Sequence, residues 1–231
     1  MHYHFFTPEI PTTVSHGRLP HWEQPHACYF ITFRTADSLP RQTCLELSAR
    51  RATWLREHGI ASSDTRDADS LARLSPQDRT EFTRECARAW HDSLDACHGA
   101  CVLREPSLRQ HVVDALRYGD GMQYDLDAFV VMPNHVHVLA GFAAAGTMRQ
   151  QCSSWKRYAA TRIHRALGLR GRFWQAEYYD RVLRNLRGLE AWRLYIADNP
   201  RKAGLSDDEY TVYLRPEPIV GGEQARTPPA E

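Results

Sequence analysis

Along His135–Phe142 apolar positions recur at every second residue. Val136, Val138, Ala140 and Phe142 point one way, and His135, His137, Leu139 and Gly141 point the other. That is the period of a strand with one face on a core. Tyr29-Phe30-Ile31-Thr32-Phe33-Arg34-Thr35 is aromatic and β-branched and predicts a first strand. Tyr124–Met132 predicts a second, joined to the alternating strand at Pro133-Asn134, and Tyr178–Arg184 a fourth. Between them lie helical segments. Residues 40–58 form one. Ser75-Pro76-Gln77-Asp78 opens another that runs to about Leu94, and Pro106 opens a third toward Tyr118, ended by Gly119-Asp120-Gly121. A long basic helix runs from Met148 to Leu167 and stops at Gly168, and Leu189–Asn199 is a last helix stopped by Pro200. Residues 1–28, rich in Pro and His, read as an arm without regular structure, and the tail after Glu217 is rich in Gly and Pro.

With the helices of residues 40–119 pooled as one crossover, the order is β-α-β-β-α-β followed by a terminal helix. This is the split β-α-β, ferredoxin-like pattern of an α+β protein. Its two crossover helices stack on one face of the sheet. The expected fold is therefore an antiparallel ferredoxin-like sheet with a helical insertion and a C-terminal tyrosine-bearing helix, its other face left for a site or another element. His135 and His137 stand on that open face.

The chain of 231 residues is 42% hydrophobic and 25% charged, the composition of a globular protein with a real core. It carries no apolar run of the ~18–20 residues that a membrane span needs. The N-terminus lacks a basic region followed by an apolar stretch, so no signal peptide and a cytoplasmic location are expected. Six irregularly spaced Cys suit free thiols better than a disulfide framework. A net charge of +1 hides an asymmetry. Residues 149–204 hold 13 Lys and Arg against 4 Asp and Glu, whereas residues 36–98 hold 9 Arg against 11 acids. A basic C-terminal half points to a polyanionic partner. Lys156, Arg157, Arg170, Arg172, Arg181 and Arg184 are the candidate phosphate contacts.

His135-Val136-His137 carries the sharpest chemistry. Two imidazoles at i and i+2 of a strand project in parallel and can ligate one divalent ion; a pair of half-buried sheet histidines has the same spelling. Tyr195 and Asn199, four apart, share one face of the terminal helix. Packed over the open sheet face, that helix would bring the Asn199 carbonyl to the metal as a third ligand, with the Tyr195 hydroxyl one turn away. Metal, phenol and basic surface together are what phosphodiester transesterification requires. Tyr158, among Lys156, Arg157 and Arg162, is the rival nucleophile but has no ligand-like residue four positions on.

Val130-Val131-Met132-Pro133-Asn134-His135-Val136-His137-Val138-Leu139 resembles the metal-binding strand of the single-tyrosine HUH transposases. Leu194-Tyr195-Ile196-Ala197-Asp198-Asn199-Pro200 resembles their tyrosine helix. Trp155-Lys156-Arg157-Tyr158, Gly171-Arg172-Phe173-Trp174-Gln175 and Tyr178-Tyr179-Asp180-Arg181-Val182-Leu183-Arg184 resemble the REP-associated tyrosine transposases of that IS200-like superfamily, as does Arg18-Leu19-Pro20 followed by Tyr29–Arg34. The resemblance covers roughly residues 18–205. It implies His135, His137 and Asn199 as ligands of Mg²⁺ or Mn²⁺, and Tyr195 as the nucleophile. It implies cleavage of single-stranded DNA beside a REP-like hairpin through a 5′-phosphotyrosine, and a monomer in place of the dimer of mobile relatives. Arg18 reaches DNA on this analogy alone. No membrane and no nucleotide cofactor are implied, and no Walker-type Gly-rich loop is found. The expected division is an N-terminal arm 1–28, a catalytic domain 29–205 with the insertion at about 38–98, and a tail 206–231. Two other functions fit the same residues: a hairpin-DNA-binding regulator that has lost cutting, and a metal-dependent phosphodiester hydrolase that activates water.

Overall fold

The computed structural model describes residues 3–16, 20–60, 73–217 and 219. It divides into two compact units, residues 1–36 with 101–231, and residues 37–100.

The larger unit contains β1 (Thr13–His16), β2 (Pro20–Glu23), β3 (Ala27–Arg34), α3 (Pro106–Tyr118), β4 (Tyr124–Val131), β5 (His135–Phe142), α4 (Thr147–Leu167), β6 (Tyr179–Val182), α5 (Leu186–Lys202) and β7 (Thr211–Leu214). One antiparallel sheet has the order β6-β3-β5-β4-β7. Its first four strands have the ferredoxin-like arrangement, with α3 and α4 as the crossovers. The smaller unit holds α1 (Arg41–Glu57) and α2 (Pro76–Asp95) around Leu55, Ile60, Leu74 and Phe82. The Ser75 hydroxyl caps α2 by accepting the Asp78 N–H at 3.1 Å, with Pro76 at the first helical position where a missing N–H costs nothing.

Sheet alternation decides the two faces of the larger unit. Tyr29, Ile31 and Phe33 of β3 join Val136, Val138, Ala140 and Phe142 of β5 beneath α3 and α4, with Trp155 and Ile163 of α4 among them. Cys28, Phe30 and Leu139 face the other way and meet Leu189 and Ile196 of α5. A bulge in β4 between Leu126 and Ala128 resets the alternation by one residue. Leu126 and Phe129 therefore both face the crossover helices, three residues apart. The inserted residue, Asp127, has its side chain fully buried. Its carboxylate accepts from the Arg193 guanidinium of α5, which also donates to the Arg215 carbonyl at 2.7 Å. Burial pushes the Asp127 carboxyl up, and Arg193 offsets only part of that rise.

Four details differ from the sequence reading. The N-terminal segment is not an irregular arm. β1 and β2 pair, Tyr3 is buried, and Phe6 N–H donates to the Leu183 carbonyl at 2.7 Å. Tyr3 lies over Gly141, where a Cβ would stand 2.6 Å from its ring, so this sheet position accepts only glycine. The fourth strand is shorter than 178–184, because only Tyr179–Val182 pairs with β3. Pro200 does not stop the last helix, since its ring-locked φ is helical and it forfeits one N–H bond. The stop is Gly204 at φ +67°, with Leu205 N–H returning to the Pro200 carbonyl at 3.0 Å. Finally, residues 211–214 of the expected tail add β7 to the sheet, held by Arg109, which is buried and donates to Thr211 Oγ1 at 2.9 Å and to the Asp208 carbonyl at 2.8 Å. Arg18 lies outside the described residues, as does nearly all of the tail beyond Glu217.

The β1–β2 hairpin is fastened to β6 by a hydrogen bond between His21 Nδ1 and the Asp180 carboxylate, with Glu177 4.0 Å from Nε2. The Asp180 bond raises the His21 pKa above its ordinary value of 6.5, against the opposing effect of burial. A raised pKa means that this contribution to stability is complete below about pH 6.5 and fades as pH rises through the folded-state value. Thermal melts of wild type and His21→Gln are therefore expected to diverge most in mildly acidic buffer and to converge as pH rises; a gap that widens with pH contradicts the assignment. Arg193→Ala strands the Asp127 carboxylate inside the protein and is expected to cost about 3 kcal/mol, read as a lowered urea midpoint.

Candidate metal and tyrosine site

His135 and His137 lie side by side near the start of β5, both fully buried. Their Nε2 atoms are 3.1 Å apart. Two nitrogens about 2.1 Å from one ion at right angles stand about 3 Å apart, so the spacing suits a shared divalent cation. Each ring turns its other nitrogen to a side-chain oxygen. His135 Nδ1 is 2.7 Å from Asn134 Oδ1, and His137 Nδ1 is 2.7 Å from Thr32 Oγ1. Such contacts orient the imidazoles and turn the two Nε2 atoms toward each other.

Antiparallel pairing brings Thr32 there, since Thr32 of β3 stands opposite His137 in register. The β4–β5 turn supplies Asn134, also fully buried, whose carbonyl accepts the Thr35 N–H at 2.8 Å. α5 then places Tyr195 over the pair. Its Oη is 3.4 Å from His137 Nε2, and the rings are 5.2 Å apart at 66°. Phe30 sets this height. It stacks on Trp192 at 3.7 Å and on His137 at 5.2 Å, and it meets the Tyr195 ring edge-on at 5.9 Å. Trp192 adds a second edge contact to Tyr195 at 5.4 Å. On the solvent side Lys202 Nζ is 5.4 Å from the Tyr195 ring centroid, a cation over the phenol. The Lys202 ammonium also pairs with Asp198 at 3.4 Å. Asn199 is fully buried one turn beyond Tyr195.

Three expected site residues thus meet: His135, His137 and Tyr195. The rival Tyr158 does not join them. It is 44% exposed on α4, and α4 packs on the opposite face of the sheet. Trp155 and Trp174 are core, and Trp192 is part of the tyrosine platform. Among the basic candidates, Arg157, Arg170, Arg172, Arg181 and Arg184 are exposed. Lys156 departs from its expected role as a surface phosphate contact. Its ammonium donates to the carbonyls of Gln175 at 2.6 Å and Ala176 at 2.7 Å, and burial lowers its pKa. It tethers the loop before β6.

Sequence reasoning passed over Thr32, Asn134, Phe30 and the Asp127–Arg193 pair. One signal was available for Thr32: it is the lone aliphatic hydroxyl in the strand Tyr29–Phe33, at a position whose parity matches the histidine face. Asp127 left no such signal, because a bulge has no fixed spelling.

A search of solved structures matches the chain to "Structure of the REP associates tyrosine transposase bound to a REP hairpin". The identity is 17% over 78% of this chain and 70% of that chain, with a TM-score of 0.38. The chain is similar to a REP-associated tyrosine transposase. No family model and no curated protein matches it. No helix among the described residues is long and apolar enough to cross a membrane.

Thr32→Val keeps the shape of the side chain and removes its hydrogen bond to His137. It is expected to weaken Mn²⁺ binding by about tenfold in calorimetric titration, the size of effect that orienting partners of ligand histidines have. Unchanged affinity would leave Thr32 a packing residue only.

Proposed function

We propose that this chain is a metal-dependent single-stranded DNA endonuclease and strand transferase that acts at REP-like hairpins through Tyr195. The observation that carries the reading is the placement of a tyrosine hydroxyl 3.4 Å from one of two buried imidazoles whose Nε2 atoms are 3.1 Å apart. The hairpin partner comes from the motif resemblance. The exposed arginines of residues 157–184 supply the charge that a DNA strand needs.

His135 and His137 would hold the ion, with Asn199 of the same helix as Tyr195 as third ligand. Two imidazoles suit Mn²⁺ better than Mg²⁺, which prefers an all-oxygen shell. When bound, the ion polarises the scissile phosphate and neutralises the charge that develops in the transition state. The chain's own residues do the rest. Phe30 and Trp192 hold the Tyr195 ring in place, so that its oxygen is oriented before DNA arrives. The Tyr195 oxygen bonds to phosphorus as the bond from phosphorus to the 3′-oxygen breaks, and the phenol's proton is balanced by the one that the free 3′-hydroxyl gains. One phosphodiester is exchanged for another, so a later 3′-hydroxyl reverses the step without a nucleotide triphosphate. The protein is proposed to work as a monomer.

The test is a denaturing gel of the purified protein with labelled hairpin-bearing single strands, in Mn²⁺, Mg²⁺ or EDTA. Wild type is expected to retain label covalently in metal. Tyr195→Phe loses capture and keeps hairpin binding, and His135→Ala or His137→Ala loses metal-dependent cleavage. Capture that persists in Tyr195→Phe would overturn the nucleophile assignment. Cleavage without any adduct would favour activated water, and metal-independent binding alone a hairpin-binding regulator.

A further inference from the structure

β2 presents an aromatic side chain that the catalytic centre does not use. His21 and Glu23 face inward and are buried, and Trp22 between them is 47% exposed. Beside it stand Phe6, 6.4 Å away and edge-on at 64°, and Val14, directly opposite on β1 and 38% exposed. The Arg184 guanidinium, at the end of β6, lies 5.4 Å from the Phe6 ring centroid. The patch is thus two aromatic rings, with a cation over Phe6.

The patch is rigid. His21 ties β2 to Asp180, and Glu23 Oε2 accepts the Gly146 N–H at 2.7 Å. Gln24 Nε2 donates to the Thr7 and Ile10 carbonyls and to Thr12 Oγ1, at 2.8, 3.0 and 2.8 Å. The carboxylates of Asp180 and Glu177 are turned to His21 and that of Glu23 to the Gly146 N–H, whereas Arg181, Arg184 and Arg187 are exposed on the adjoining segment. An apolar peptide would find these cations unmatched. An unpaired nucleotide matches both parts, a base for the rings and a phosphate for the guanidinium.

We propose that Trp22, Phe6 and Arg184 form a stacking platform for an unpaired base of single-stranded DNA, outside the catalytic centre. Only an unpaired base offers its face, so the platform discriminates against duplex. The proposal rests on the DNA-binding reading above and adds to it where the strand is held.

Binding of a fluorescein-labelled single strand of about 12 thymidines tests it, by anisotropy at low and moderate salt in a Tyr195→Phe background that cannot cut. Trp22→Ala is expected to weaken binding by about tenfold, and Trp22→Phe to stay within about threefold of the parent. Arg184→Ala is expected to weaken binding and to flatten its salt dependence. Trp22→Thr, a strong strand former, serves in place of Trp22→Ala should the latter lose its cooperative melt. Equal affinity of parent and the folded Trp22 truncation overturns the platform and leaves the DNA-binding reading standing. No binding of the parent to either this strand or a hairpin-bearing one overturns that reading, and the platform with it.

Discussion

Everything in the candidate site depends on how α5 is seated on the open face of the sheet. An antiparallel sheet with both crossover helices on one side leaves Phe30, Leu139, His135 and His137 to be covered by something else. α5 covers them, and two contacts fix it. The Phe30–Trp192 stack sets the height of the helix, and the Asp127–Arg193 pair sets its rotation. Without the first, the Tyr195 ring has no platform. Without the second, a buried carboxylate loses its counter-charge, which costs more than the pair itself gains.

The same placement explains why this site has so many aromatic neighbours. In the proposed role the Tyr195 phenol must be held against rotation yet keep its oxygen toward the two imidazoles. Ring contacts to Phe30, Trp192 and His137 restrain it on several sides, and Lys202 stands at the side toward water. The histidines are treated alike. Each has its Nδ1 turned to a neutral oxygen, Asn134 Oδ1 or Thr32 Oγ1, so that the two Nε2 atoms converge.

The N-terminal hairpin and the C-terminal strand show how the sheet's margins are managed. The β1–β2 hairpin is fastened near one edge through His21 and Asp180, and β7 extends the other edge under the grip of Arg109 and Arg215. Several arginines that inflate the apparent basicity of the chain are spent in this way. Arg193 serves an internal carboxylate, and Lys156 serves two carbonyls. The surface that remains for a polyanion is therefore smaller than the charge count suggests, and it centres on the exposed arginines at 157–184.

Periodicity alone determined a good deal here. The alternation in His135–Phe142 assigned both histidines to one face, and the order of strands and helices left that face uncovered by the crossover helices. The i to i+4 spacing placed Tyr195 and Asn199 together on that helix. These are local properties, set by backbone geometry within a few residues, and one-dimensional patterns carry them. Tertiary structure decided which oxygens turn the imidazoles, which ring carries the tyrosine, and which charges are spent inside. Thr32 reaches His137 across 105 residues of chain through strand register, and Asp127 reaches Arg193 through a one-residue bulge. Register and bulges arise from the pairing of distant strands. The residues they bring together therefore have no neighbourhood in the sequence where their meeting could be read.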